Sequence, residues 1–216
     1  MYVPQNSQLW LRVLFFPVYN YFMEIKDKSE QLAEIHKKWL VECDCELKKT
    51  ATQGVPGYGN PNAEIVFVGE APGRDEDREG RPFVGAAGKF LNEMLENIKL
   101  KREDVYITNV VKYRPPNNRD PLLEEVNSCA KWLKEELEII KPTVVVFLGR
   151  HALQHFFPGE QISKVHGKIL KKKTSIGNFF FALYHPAAAL YNGSMREVLM
   201  DDFKKLPKVL EKIKES

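Results

Sequence analysis

The sequence predicts a three-layer α/β fold, with a central four-stranded parallel sheet flanked by helices. Three observations carry that expectation. Four short runs at 65–69, 105–110, 144–148 and 179–184 are rich in β-branched and aromatic residues and apolar on both faces. Helical patterns separate them at 84–98, 122–140 and 150–156, and a last one spans 196–214. Strands without polar alternation, joined through helices, belong to parallel sheets covered on both sides.

The elements follow in order. Residues 9–22, LWLRVLFFPVYNYF, are apolar but broken by Arg12 and Pro17, too short to span a bilayer, and without a small-residue cleavage site. A charged helical register begins only near Met23. Residues 1–22 are therefore expected to be a leader outside the native chain, or else a peripheral amphipathic or partner-binding segment, with 23–216 forming one domain. From 25 to 41, Leu32, Ile35, Trp39 and Leu40 recur at helical spacing among Lys and Glu, the pattern of an amphipathic helix on the core. VPGYGNP is a cluster of turn formers feeding the first buried strand.

Composition adds bounds. With 216 residues, 44% apolar and 28% charged, the chain can bury one sizeable core. A net charge of +3 permits a nucleic-acid partner without requiring one. Three cysteines, an odd count in a chain of this size, do not make a secreted disulfide framework, so a cytoplasmic protein with no membrane anchor is expected.

The unusual residues sit where the strands end. Gly69-Glu70-Ala71-Pro72-Gly73 closes the first strand, Asn109 the second, Gly149 the third and His185-Pro186 the fourth. Ligands of open α/β sheets bind outside these carboxyl ends. A phosphate loop is excluded: Gly88-Lys89 runs into Phe90 and has Phe83 where the first glycine of that motif belongs, and no G-x-G-x-x-G follows the first strand. Taken alone, GEAPG is equally consistent with a simple tight turn.

Taken together, GEAPG, PFVGAAGKFLNEML, ITNVVKYRPPNNR and HPAAAL resemble, in order and spacing, the family 4 uracil-DNA glycosylases of bacteria and archaea over about residues 40–207. The resemblance implies that family's fold and a monofunctional enzyme that hydrolyses the bond between uracil and deoxyribose, leaving an abasic site for base-excision repair. It assigns uracil binding to Gly69, Ala71, Phe83, Asn109 and His185, and catalysis to Glu70 and His185.

The chemistry of those side chains suits the assignment. An Asn amide offers one donor and one acceptor, which meet O4 and N3–H of uracil together. Cytosine would leave both unpaired. Phe83 is suited to stacking on an extruded base, and also to packing in the core. His185 can donate to O2 as the base leaves as an anion. Glu70 is the candidate for the carboxylate that positions water or stabilises the sugar cation. In a related glycosylase family an Asp fills that role, and its place here is Ala71. Asp75, Glu76 and Asp77 lie near enough to share the role, although an acidic run is commonly a solvated loop; Glu76 can alternatively crowd a thymine methyl.

Loops around the pocket are expected to hold DNA: Arg114, Asn117, Asn118 and Arg119 for phosphates, Leu190 or Tyr191 as a wedge in the base stack, and Arg196 near a phosphate. Lys171, Lys172 and Lys173 read as a solvated turn. The family implies a 4Fe-4S cluster on four cysteines, whereas this chain carries Cys43, Cys45 and Cys129, with Tyr113 where a fourth is expected. A cluster with an unusual fourth ligand, another metal, or plain buried thiols are the options. The expected partner is uracil-containing DNA, double- or single-stranded, bound by a monomer that a sliding clamp or repair protein recruits. Two other functions remain: a non-catalytic nucleic-acid-binding paralogue, and a glycosylase of broader base range.

Overall fold

The computed structural model describes residues 27–215; the segment 1–22 lies outside them. Four central strands form as the apolar runs require: β2 (Ile65–Gly69), β3 (Tyr106–Asn109), β4 (Val144–Leu148) and β6 (Gly177–Leu183), paired in parallel in the order β3-β2-β4-β6. Two antiparallel edge strands extend the sheet to six, β1 (Tyr58–Gly59) beside β3 and β5 (Ile169–Thr174) beside β6. Both come from stretches that lack an apolar pattern. β1 lies in the turn-rich run, and Gly59 has φ +134°, with Val105 O only 2.0 Å from where a Cβ would stand. Lys171–Lys173 stand on β5 rather than in a turn, exposed along an outer edge, where charge opposes pairing with another sheet.

Alternation along the strands builds a core on each face. Val66, Val68, Tyr106, Val145, Phe147 and Phe180 face one way, onto α1 (Lys28–Glu42), α4 (Leu123–Ile140) and α5 (Arg150–Phe156). Phe67, Ile107, Val146 and Phe181 face the other, toward α3 (Ala86–Asn97) and α8 (Ser194–Phe203). The remaining helices are short or terminal: α2 (Arg74–Glu79), α6 (Ile162–Val165), α7 (Ala188–Tyr191) and α9 (Leu206–Lys214).

Helix ends follow local chemistry. Asp27 Oδ1 accepts from Glu30 N at 2.9 Å and caps α1. Of the apolar positions on α1, Leu32, Ile35 and Trp39 are buried, while Leu40 faces outward. The single helix expected over 196–214 is two, because Pro207 donates no N–H and would collide with the preceding turn; it sits instead in the first turn of α9. The acidic run at 75–77 is helical, forming α2, and not a solvated loop. Asp77 is buried there and accepts from Thr52 N (2.9 Å) and Thr52 Oγ1 (2.7 Å). Among the described residues, no helix is long and apolar enough to cross a membrane.

Under the sheet lies a buried ionic network. Lys112 and Glu136 are both fully buried and paired at 2.6 Å, with Lys112 Nζ also donating to Thr108 Oγ1 at 2.7 Å. Gly57 N donates to Glu136 Oε1 at 3.3 Å, and His36 Nε2 lies 3.1 Å from it. Burial alone would raise the Glu136 pKa, but Lys112 and His36 hold it near 2. Removing one partner strands the other charge, so Lys112→Ala is expected to lower the free energy of unfolding by about 3–5 kcal/mol. Denaturant titration reads this directly, and a loss below about 1 kcal/mol would show that the pair is not a brace.

Candidate functional site

The strand ends do converge. Gly69 and Asn109 are register partners at the ends of β2 and β3, and the pairing runs on beyond them through Val110 N to Gly69 O and Val111 N to Glu70 O, both 2.9 Å. This extension fixes Glu70 beside the β3 exit. Gly149 N donates to Leu183 O at 2.8 Å, aligning the ends of β4 and β6. Gly149 adopts φ +99°, and a Cβ there would stand 3.0 Å from His185 Cβ, so the third strand end leaves room for the fourth.

Gly69 allows the closest approach. A Cβ on it would lie 2.4 Å from Asn109 Oδ1 and 2.7 Å from the Phe83 ring. Asn109 is 2% exposed, and its Oδ1 is buried without a hydrogen-bond partner. An orphaned buried acceptor costs about 1–3 kcal/mol, and that cost is recovered when a ligand N–H reaches it. Ala71, next to Glu70, packs partly buried against the core on the helix α4 side.

Phe83 is placed by backbone strain and by a carboxylate. Its φ of +52° is left-handed, an uncommon conformation for an aromatic residue. The loop is held by Glu76, whose Oε1 accepts from Val84 N (2.9 Å) and Gly85 N (2.8 Å) while Oε2 accepts from Gly73 N (3.1 Å). Glu76 therefore clamps the GEAPG turn to the Phe83 loop, and its oxygens are not free to line a base pocket. Phe83 O rests on α3 at Gly88, where a Cβ would come within 1.9 Å. The Phe83 ring stands 5.5 Å from the His185 ring, tilted by 31°.

His185 is set up as a neutral donor. Ala187 N–H donates to its Nδ1 at 3.1 Å, which leaves the ring proton on Nε2. Burial, reinforced by His151, pushes its pKa down to about 4. Glu70 is shifted the other way, to about 7, by burial and by the neighbouring Asp120, with Arg150 opposing.

Three residues around Glu70 were not singled out from the sequence. His151 Nε2 lies 3.8 Å from Glu70 Oε2 and 3.3 Å from Asp120 Oδ2, and Arg150 Nη2 donates to Asp120 Oδ2 at 2.6 Å. Their signal was positional: Arg150 and His151 follow Gly149 at the same sheet end. Glu70, Asp120 and His151 bring ligand atoms within 4.8 Å of one another, a spacing that suits an ion, but Arg150 already supplies positive charge there. A cavity of about 480 Å³ opens beside Glu70, walled by Val110, Val111, Leu123 and His151.

The outer residues divide. Leu190 is 48% and Tyr191 92% exposed, on α7 just after His185. Arg114 Nε donates to Asn118 Oδ1 at 2.8 Å, within a loop where Asn117 and Asn118 both have φ +55°. Arg119 grips Glu125 with both terminal nitrogens, at 2.6 and 2.8 Å, and Arg196 pairs with Glu93 across the Phe90 ring. Those two guanidinium groups are committed within the protein.

Cys43, Cys45 and Cys129 are all buried and gather between α1 and α4. All three are free thiols: Cys43 Sγ donates to Ser128 O at 3.7 Å and Cys45 Sγ to Glu125 O at 3.8 Å, and the neighbouring Cys129 draws the Cys43 pKa down to about 6 and lowers that of Cys45, while its own is driven far up. Lys112 N also donates to Cys129 Sγ at 3.4 Å. Tyr113 belongs to the same cluster, 2% exposed, with its hydroxyl buried and unpartnered. Three thiols, two of them donating S–H to backbone carbonyls, fall one sulfur short of the four thiolates that hold a 4Fe-4S group, so the nest as it stands does not fit one.

Comparison with known proteins points to one family. The sequence profile of the uracil DNA glycosylase superfamily matches residues 56–214. The type-4 uracil-DNA glycosylase of Archaeoglobus fulgidus is 53% identical over 187 residues, 82% of this chain and 92% of its own length. That of Sulfurisphaera tokodaii is 50% identical over 181 residues, covering 79% and 81%, and that of Saccharolobus solfataricus is 47% identical over 173 residues, covering 77% and 80%.

The His185 environment makes a prediction that needs no substrate. Nitrogen-detected NMR should find the ring neutral with its proton on Nε2 down to about pH 4. A ring that titrates near its ordinary 6.5 would remove it as a fixed neutral donor.

Proposed function

The chain belongs to the type-4 uracil-DNA glycosylases, within the uracil DNA glycosylase superfamily, and from that premise we propose how it hydrolyses the N-glycosidic bond of deoxyuridine in DNA. The observation that carries the reading is Asn109, a buried amide with an orphaned acceptor, held against Gly69 and beside Phe83. Its Oδ1 accepts N3–H of an extruded uracil and its Nδ2 donates to O4. Cytosine presents the opposite pattern at that edge and leaves the amide unpaired.

Phe83 stacks on the base, contributing about 1–3 kcal/mol. Cleavage places positive character on the sugar and negative charge on the uracil. His185, neutral with Nε2–H free, donates to the O2 anion without being a charged acid. Glu70, once ionised, orients water toward C1′ and offsets the cation, with burial, Asp120 and Arg150 setting its charge and His151 3.8 Å away.

DNA is held by the rim. Leu190 and Tyr191 are the wedge into the stack, and Arg114 with Asn118 meets the phosphates. Arg119 and Arg196 serve chiefly to shape that rim through Glu125 and Glu93. The protein acts as a cytoplasmic monomer. Cys43, Cys45 and Cys129 are the residues on which the 4Fe-4S cluster implied by the family would draw, one thiolate short of the four it needs.

Two measurements test the reading. Incubated with a uracil-containing oligonucleotide and heated in alkali, the protein should produce strand scission at uracil, and Asn109→Ala should lower kcat/KM by about 10–100-fold through the lost hydrogen bonds. No scission with uracil opposite G, opposite A or single-stranded would leave the non-catalytic DNA-binding alternative standing. The pH profile is the second. Because the Glu70 carboxylate is protonated below its raised pKa, kcat/KM should climb about tenfold per pH unit on the acid side and level off above about pH 7. Glu70→Gln should flatten that limb at a low rate, and a limb that persists in the variant would assign it to another group.

A further inference from the structure

The cluster that the family implies and the residues of this chain disagree. A 4Fe-4S group is held by four thiolates. The whole sequence has three cysteines, and all three already stand in the nest, so no other part of the chain can lend a fourth. Tyr113 occupies the position where that thiol is expected, 2% exposed, with its hydroxyl unpartnered and its ring edge-on to Trp39 at 5.6 Å between centroids.

The buried carboxylates of α4 are engaged elsewhere. Glu125 is taken by both terminal nitrogens of Arg119 and by Leu122 N, and Glu136 by Lys112, Thr108 and His36. The sulfurs themselves are turned outward as donors. Cys43 Sγ meets Ser128 O at 3.7 Å and Cys45 Sγ meets Glu125 O at 3.8 Å, two main-chain carbonyls of α4. A thiol satisfies such an oxygen, whereas a thiolate in its place would set negative charge against it in a site withdrawn from water. Cys129 eases ionisation of Cys43 only by donating its own proton, which it then holds more tightly, so the trio does not ionise together.

Packing already joins the segments that a cluster would tie. Trp39 on α1, Tyr113 after β3, and Cys129 and Leu133 on α4 meet in one core, and all but Tyr113 are fully buried there. Gly54 makes room for this, since a Cβ on it would stand 2.6 Å from the Trp39 ring. One residue before Tyr113, Lys112 binds the same segment to α4 through Glu136.

We propose that this chain has dispensed with the iron–sulfur cluster: α1, the segment after β3 and α4 are held by a dry nest of Trp39, Tyr113 and three free cysteines, and neither the fold nor the pocket requires a metal. The statement about the pocket rests on the reading as a uracil-DNA glycosylase; the statement about the fold does not.

The test uses the full chain, purified without oxygen from iron-supplemented cells and assayed again after incubation with iron and sulfide. It should carry no stoichiometric iron, zinc or acid-labile sulfide and show no visible absorbance. Its Tm and its rate of uracil release should be unchanged by an iron chelator and by air. Tyr113→Phe, which removes a buried unsatisfied hydroxyl, should raise Tm by about 2–4 °C. A metal bound in proportion to the chain, or a Tm that falls on chelation, overturns the proposal. So does a Tm that fails to rise in Tyr113→Phe, because the hydroxyl would then have a partner. Uracil release is scored apart: a metal-free protein of unchanged Tm that releases no uracil counts against the proposed function and for the dry nest.

Discussion

The pocket depends on one missing side chain. At Gly69 the backbone of β2 lies so close to Asn109 and Phe83 that a single Cβ would strike both, at 2.4 and 2.7 Å. Parallel pairing of Gly69 with Asn109 brings the amide to that point, and the left-handed backbone at Phe83 brings the ring. Neither could be held there by local preference. The Glu76 carboxylate pins the Phe83 loop through the N–H groups of Val84 and Gly85 and ties it to Gly73, and Gly88 lets the loop lie flat on α3. The proposed recognition of a base edge thus rests on dense packing among segments that touch only because glycine stands at the crossing.

Around that fixed floor, burial divides the work between two titratable groups. It holds His185 neutral and holds back ionisation of Glu70, so in the proposed reaction a leaving anion meets an uncharged donor while the sugar meets a carboxylate poised near neutrality. Asp120 and Arg150 pull Glu70 in opposite directions. The site is therefore tuned by residues beyond those that touch the base, and the non-catalytic alternative has to account for a carboxylate and an imidazole shifted in complementary senses.

Behind the pocket, the same short segment anchors two buried systems. Lys112 ties β3 to α4 through Glu136 with its side chain and meets Cys129 with its backbone N–H. Tyr113, its neighbour, closes the thiol nest. The segment leaving β3 carries Asn109 at one end and the Arg114 loop at the other, so whatever stiffens 112–113 also sets the distance between base and phosphate contacts.

Much of this was legible in the residues. Apolar runs without alternation required buried parallel strands, and their punctuated ends located the site, because period and turn chemistry are local properties of a chain. The strands β1 and β5 were not legible, since Tyr58–Gly59 and the lysines of β5 carry no apolar pattern and pair only because a neighbouring edge is open. Sequence by itself thus determined the layers, the strand ends, and that Asn109, Phe83, Glu70 and His185 belong to that end of the sheet. Tertiary structure alone decided that Glu76 clamps, that Arg119 and Arg196 are spent on carboxylates, and that Tyr113 buries an oxygen among three thiols. Those outcomes depend on partners distant in the chain and on removal from water, and neither is encoded at any single position.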